Sequence, residues 1–296
     1  MPICDELLRN VNVPIFTFLA YRIAKNWVAG KSVEDALREA KLANMKGFSV
    51  VLNYLGEEIE SVEEVQSSVE EYGHLLKTVH AARIDGCVSV KLTQLGLNID
   101  RNYCRKNLQE IVDRASSLDL FVWIDMESSK FTQDTIDIYT SIFSESKNVG
   151  ICIQSYLKRS ERDLENIVKV GGKVRLVKGA YNEAASIAFK SKKEINENYL
   201  KLMEYLFRDS ASLFSIATHD DRLVCKAVEM NEKYDRTLEF GMLKGIRDKL
   251  KLELVRKGCR VTEYIPYGEN WLPFSIRRIR EKPSNVLLLG RSLLSK

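Results

Sequence analysis

The chain has 296 residues, is 45% hydrophobic, and sets 45 lysines and arginines against 41 aspartates and glutamates for a net charge of +4. That much apolar material fills one large or two small packed domains, and abundant charge of both signs excludes a disordered chain. The mild cation excess shows no clustered basic face of the kind that tracks nucleic acid.

The opening Met1-Pro2-Ile3-Cys4-Asp5-Glu6 is acidic and lacks the basic start of a secretory signal. The most apolar early stretch, 11–30, is broken by Asn12, Pro14, Arg22, Lys25 and Asn26. It falls short of the ~20 apolar residues of a membrane span and reads as an amphipathic helix after Pro14. Ser32 is placed to cap a helix through Asp35-Ala36-Leu37-Arg38, with Glu34 and Asp35 favourable in its first turn. Residues 1–45 therefore form an N-terminal helical segment.

Eight short apolar runs follow, at 47–55, 87–92, 120–125, 150–156, 173–177, 213–218, 237–242 and 260–265. They are nearly continuous in hydrophobicity, as parallel strands buried on both faces are. Between them, 61–79, 104–117, 161–170 and 221–233 carry charges at helical spacing. Strand, helix, strand repeated eight times over 46–285 is the arithmetic of an α/β fold of the (βα)8 TIM-barrel type. The alternative, an open doubly wound sheet, normally brings a glycine-rich first turn, and no Gly-x-Gly-x-x-Gly occurs. The tail 286–296 is apolar around Gly290 and Arg291. It is expected to dock on the body, with a partner protein or the membrane periphery as the alternative.

The six cysteines, Cys4, Cys87, Cys104, Cys152, Cys225 and Cys259, form no Cys-x-x-Cys pair and are expected to be reduced, in a cytoplasmic setting. The three histidines, His74, His80 and His219, belong to no cluster with zinc spacing, so no metal is expected. No P-loop and no Gly-x-Ser-x-Gly elbow is present.

In a parallel barrel the chemistry sits at the carboxyl ends of the strands. Those ends carry Glu57, Lys91, Asp125, Gln154, Arg175 with Lys178, His219, Leu243 and Tyr264. Singly these have plain structural readings: Lys91 and Asp125 as an ion pair between neighbouring strands, His219 as a satisfied turn residue. Together they point to a charged ligand, because buried charges are costly unless paired. Arg277-Arg278 on the helix after strand eight suits a carboxylate, although Arg280 and Lys282 also allow a solvated basic face.

Several of these residues stand in ordered blocks. They are Leu55-Gly56-Glu57, Ser89-Val90-Lys91-Leu92, Ile124-Asp125-Met126-Glu127, Arg175-Leu176-Val177-Lys178-Gly179-Ala180-Tyr181, Asn198-Tyr199, Ala217-Thr218-His219, Tyr264-Ile265-Pro266, and Arg277-Arg278 with Glu281. Over roughly 45–285 this order resembles the proline dehydrogenase family. The resemblance implies a distorted (βα)8 barrel that holds a flavin without a Rossmann motif, FAD before FMN. It implies oxidation of L-proline to Δ1-pyrroline-5-carboxylate, with electrons passed to a quinone or another acceptor, in a monofunctional chain.

By matching position, the resemblance assigns Lys91, Arg277 and Arg278 to the substrate carboxylate. Asp125, Tyr181, Leu243 and Tyr264 go to the pocket around the ring. Gln154, Arg175, Val177, Lys178, Gly179, Ala180, Thr218, His219 and Glu281 go to the flavin, and Glu57 to a gate with Arg277. Two positions depart from the family: Gly241 where many relatives carry Gln, and Phe274 where a tyrosine is common. A Schiff-base barrel aldolase on Lys91 or Lys178, with Asp125 as acid and base, is the competing enzyme reading. A non-catalytic barrel subunit is the third.

Overall fold

The computed structural model describes residues 24–236 and 238–281, with side chains as far as residue 276. The segment 11–30 thus lies mostly, and the tail 286–296 wholly, outside the described residues. The apolar runs are eight strands: β1 (Ser49–Tyr54), β2 (Gly86–Val90), β3 (Val122–Ile124), β4 (Val149–Gln154), β5 (Val174–Val177), β6 (Phe214–Ala217), β7 (Glu239–Leu243) and β8 (Arg260–Tyr267). Neighbours pair in parallel and in chain order, and β8 returns to pair with β1, Leu52 opposite Ile265. That closure excludes the open sheet.

Among the described residues, seven helices fill the crossovers: α2 (Val62–Ala81), α3 (Arg101–Ser117), α4 (Ser129–Glu145), α5 (Ser160–Lys169), α6 (Lys192–Asp209), α7 (Asp221–Tyr234) and α8 (Asp248–Arg256). Before them stands α1 (Val33–Met45), and α9 (Trp271–Glu281) follows β8. The two-residue period of a strand sorts its side chains. Val50, Leu52, Val88, Val90, Ile151, Leu176, Ile216 and Phe240 join the helices in one apolar cluster. The alternate set, with Val51, Arg175, Ala217, Gly241, Thr262 and Tyr264, faces a cavity at the carboxyl mouth. The apolar cluster carries the folding free energy, at about 25 cal/mol per Å² of apolar surface removed from water, and leaves the lumen free for polar groups.

Ser32 begins α1 as the sequence implies, accepting the Asp35 N–H at 3.3 Å while the Asp35 carboxylate accepts the Ser32 N–H. That reciprocal pair is a capping box. The chain just before it, 24–30, packs on the barrel. Ala29 N–H donates to Pro266 O and Gly268 N–H to Gly30 O, so 24–30 lies across the end of β8. Ala24, Trp27 and Val28 pack with Leu55, Trp271 and Phe274. Gly245, at φ 69°, lets the loop after β7 pass so close to Asn26 that a Cβ would stand 2.0 Å from its carbonyl oxygen.

The five cysteines among the described residues are free. No helix among those residues is long and apolar enough to cross a membrane.

Lys251 on α8 places a charged group in a largely apolar helix–strand interface. Its ammonium is wholly buried against Glu263 of β8, bonds Asp248 at 2.6 Å and reaches Leu243 O at 3.3 Å. Removing one partner strands the other charge in the interior, at a cost of about 3–5 kcal/mol. Lys251→Ala should therefore lower the urea midpoint strongly. Lys251→Met with Glu263→Leu should recover most of that loss. A midpoint shift in Lys251→Ala no larger than that of a surface lysine would contradict the arrangement.

Candidate active site

The floor of the mouth is organised by Asp125, the residue after β3. Its Oδ2 accepts Lys91 Nζ and the Tyr264 hydroxyl, each at 2.6 Å. Its Oδ1 accepts Ser89 Oγ at 2.7 Å and lies 3.4 Å from Arg175 Nη1. The expected Lys91–Asp125 pair is thus present, but inside a larger network that ties β2, β3, β5 and β8 together. The Arg175 guanidinium stacks 4.5 Å above the Trp123 ring, a second source of attraction for a cation without solvent.

Burial alone would raise the Asp125 carboxyl. Lys91 and then Arg175 outweigh it and hold the group down at about 2. Burial would likewise lower Lys91, but Asp125, then Tyr264, lift it well above the ordinary lysine range. Tyr264, buried and facing Asp125, is raised well above its ordinary value. At neutral pH the floor is therefore an ionised carboxylate between an ammonium and a guanidinium, with a neutral phenol.

Two residues after Asp125, Glu127 is just as buried but differs electrostatically. Burial pushes it up to about 7, against the opposing pull of Lys91 and two Thr93 hydrogen bonds. The like charge of Glu57 adds to the rise. Two carboxylates one strand-repeat apart thus differ in proton affinity, because only Asp125 has a cation in contact.

The other side of the mouth comes from β4 to β7. Lys178 Nζ bonds Asp220 Oδ2 at 2.8 Å, and Asp220 caps α7 through the Arg222 N–H. His219 Nε2 accepts the Leu243 N–H at 3.0 Å. Gly179, at φ 109°, passes so near Tyr156 that a Cβ would stand 2.2 Å from its ring. Gln154 donates to Met126 O at 3.1 Å, but its Oε1 has no hydrogen-bond partner, nor do Arg175 Nη2 and the Tyr156 hydroxyl. Buried polar atoms are rarely left unmet, so these three mark where a ligand's polar edge belongs.

One cavity of about 750 Å³ is lined by Glu57, Lys91, Asp125, Gln154, Arg175, Val177, Lys178, Gly179, Ala180, Tyr181, Thr218, His219, Leu243 and Tyr264. These are all the expected site residues with described side chains. Arg277, Arg278 and Glu281 lie on α9, and their side chains fall outside the described residues.

A second cleft of about 830 Å³ adjoins the first at Lys192, His219 and Asp220 and adds Lys193, Arg222 and Lys226. The sequence pattern does not reveal it, because its lysines look like an ordinary solvated helix face. Nor does it reveal Phe189, a loop residue outside any periodic pattern, and Tyr156, the last residue of the run 150–156, stands two residues past the end of β4. Asn198 and Tyr199 line neither cavity; they brace the loops, bonding Ser155 O and Leu176 O. A Cβ at Gly241 would stand 3.1 Å from Ala217 Cβ and 3.3 Å from Ser215 Oγ, and Ser215 Oγ, Thr262 Oγ1 and Glu239 Oε1 are three further atoms without partners. Phe274 lines the cavity with a ring and no hydroxyl.

A closed parallel barrel with a charge-lined cavity at its carboxyl mouth is the architecture of a (βα)8-barrel enzyme. The family model for proline dehydrogenase matches residues 36–289. "Proline dehydrogenase 2" of Bacillus subtilis is 31% identical over 287 residues, covering 93% of this chain and 94% of the relative. "Proline dehydrogenase" of Deinococcus radiodurans is 31% identical over 282 residues, covering 93% and 91%. Among solved structures, proline utilization A of Bdellovibrio bacteriovorus, inactivated by N-propargylglycine, superposes with a TM-score of 0.82 at 25% identity. It covers 88% of this chain, and the chain spans about a third of that protein's length (32%). The chain belongs to the proline dehydrogenase family.

Glu127 gives the site a pH signature. A carboxyl whose folded pKa is raised stabilises fully below its unfolded value and loses that contribution as pH rises through its folded value. The groups facing it are Lys91, Glu57 and Cys104. Between pH 4.5 and about 7 the unfolding free energy of the parent should fall relative to that of Glu127→Gln. The change should be a few kcal/mol at most, since a tenfold change in proton affinity is worth ~1.4 kcal/mol. Chemical denaturation at several pH values reads it, and a constant difference across the window would mean that Glu127 is ionised throughout.

Proposed function

We propose that this chain oxidises L-proline to Δ1-pyrroline-5-carboxylate with a bound flavin, as the first step of proline catabolism. The observation that carries the reading is the Lys91–Asp125–Tyr264 network on the floor of a cavity whose far wall holds the unpartnered Arg175 and Gln154 atoms. A flavin's pyrimidine edge presents carbonyl acceptors and a ring N–H. An orphaned donor and an orphaned acceptor on neighbouring strands suit it. The second cleft sets Lys192, Lys193, Arg222 and Lys226 against Glu197, Asp220 and Asp221, and its small cation excess suits the phosphates of a dinucleotide, which favours FAD over FMN.

A bound flavin would supply the two-electron acceptor for a hydride from the substrate. The protein's part is binding, orientation and charge. Lys91, with Arg277 and Arg278 carried over from the resemblance, grips the carboxylate. Asp125 keeps Lys91 and Tyr264 in place and stays ionised, so the lysine points at the substrate in one rotamer. Cations around the substrate disfavour its ammonium form, and the amine proton leaves to solvent before the carbon–hydrogen bond breaks. Tyr181 and Leu243 enclose the ring, and Glu57 closes over it with Arg277. Arg175 and Lys178 offer positive charge where electron density accumulates. The electrons then pass to a quinone or another acceptor.

The Schiff-base reading is disfavoured by the same network. A nucleophilic lysine needs a free amine. Lys91 is held as an ammonium by Asp125, and Lys178 is bonded to Asp220.

Adding L-proline anaerobically to flavin-loaded protein should bleach the visible flavin band. A folded protein that takes up no flavin, or a flavin that proline leaves oxidised, would overturn the proposal. Arg278→Met should raise KM for proline ten- to a hundredfold, the equivalent of about 1.5–3 kcal/mol for a charged hydrogen bond, with flavin content unchanged. An unaltered KM would put Arg278 on the solvated face.

A further inference from the structure

Behind the cavity wall lies a second layer of residues. Three successive loops at the mouth each present a cavity residue and, one or two positions later, a residue that bonds a neighbouring loop. Glu57 is followed by Glu58, Lys91 by Thr93, and Asp125 by Glu127. Thr93 and Glu127 are buried and neither lines the cavity.

Every polar group of Thr93 is engaged, and always to a neighbouring loop. Its N–H donates to Glu127 Oε1 at 3.0 Å, and its hydroxyl contacts Glu127 Oε2 at 2.5 Å. The same hydroxyl accepts the Glu58 N–H at 2.9 Å, and the Thr93 carbonyl accepts the Ile59 N–H at 3.1 Å. Glu58 sits at φ 54°, a left-handed conformation that a side chain of this size rarely adopts unless the surroundings impose it. The two amides that follow Glu57 are therefore both tied to one threonine, across a backbone that would otherwise relax.

Direction matters in this chain of bonds. A threonine hydroxyl has one proton. With that proton given to Glu127 Oε2, an oxygen lone pair is left facing the Glu58 N–H. Glu127 thereby sets the orientation of the hydroxyl that holds the loop after β1, and it does so from the loop after β3.

We infer that Thr93, oriented by Glu127, is a positioning residue for Glu57: it fixes the loop that carries Glu57 over the substrate cavity. This rests on the proline-oxidation reading. The role is distinct from supporting Lys91, because the turn after β2 keeps its own bonds, Gln94 N–H to Lys91 O and Leu95 N–H to Leu92 O.

The experiment compares Thr93→Val, Thr93→Ser and Glu127→Gln with the parent, each also in a Glu57→Ala background. Valine keeps the shape and loses the hydroxyl; serine keeps the hydroxyl. Thr93→Val should raise KM for L-proline about five- to tenfold, the worth of one ordered hydrogen bond, with kcat within about twofold and flavin content unchanged. Thr93→Ser should restore the parent KM. In Glu57→Ala the valine should add no further rise, because both changes act through one residue. Hydrogen exchange at the Glu58 amide should quicken in Thr93→Val.

If Thr93→Val does not fold, Glu127→Gln reads the same relay, and its KM should rise by at least about threefold. With the parent active on proline, an unchanged KM in the folded variants overturns the inference. So does an equal fall in kcat with loss of flavin, which would mark a merely structural role, or a rise that persists in full without Glu57. A parent that does not oxidise proline overturns the proposed function instead, and the two failures are told apart by that control.

Discussion

Asp125 is a buried carboxylate that two buried cations share. Lys91 and Arg175 each reach it from a different strand, and the Tyr264 hydroxyl arrives from a third. Placing an ammonium and a guanidinium in the lumen without that carboxylate would cost several kcal/mol per ion, and the carboxylate alone would be no better off. The triad is tolerable only when strands β2, β3, β5 and β8 hold their register, so the site and the closed sheet are one requirement. Net positive charge remains on the floor after the pairing, since two cations face one anion. That surplus suits a ligand bearing a carboxylate.

The barrel was legible in the sequence because its cause is simple. Strands buried on both faces must be apolar throughout, and eight such runs separated by amphipathic segments leave few other topologies. The ends were legible for the complementary reason: Lys91, Asp125, Arg175 and His219 break the apolar rule at the one edge where parallel barrels place chemistry. Periodicity alone did not extend to their partners. That Asp125 binds Tyr264, 139 residues away, is a property of closure, which brings β8 back past β1 toward β3.

What stayed hidden has a common physical origin. Lys192, Lys193, Arg222 and Lys226 look like exposed helix cations in any window of sequence, and become a cleft only when α6 and α7 are side by side. Ala24, Trp27 and Val28 read as part of an N-terminal helical segment that precedes the barrel. Their burial depends on Leu55, Trp271 and Phe274, which belong to distant parts of the chain. Glu127 and Thr93 carry no surface pattern at all, because their role is to join loops. Contacts between elements far apart in the chain are the part of a fold that local composition leaves unmarked.

Satisfied and unsatisfied polar atoms divide the cavity into two functional ends. Around Asp125 every bond is already made, the charges are fixed, and the groups have little freedom to reorganise when a small ligand arrives. That is the condition for orienting a reacting carbon without losing binding energy to rearrangement. Across the cavity, Gln154 Oε1, Arg175 Nη2 and the Tyr156 hydroxyl are held in place by their own packing yet lack partners. A protein that leaves three buried polar atoms unmet on one wall is less stable alone than with a ligand there, so binding of a large polar group stabilises the fold as well as the reaction. Arg175 belongs to both ends, one nitrogen on Asp125 and another unmet. Through that side chain the charge state of the substrate floor is felt at the wall where the proposed cofactor lies. Under the proposed function, the pairing of Lys91, Asp125 and Arg175 would link substrate binding to cofactor electrostatics without any moving part.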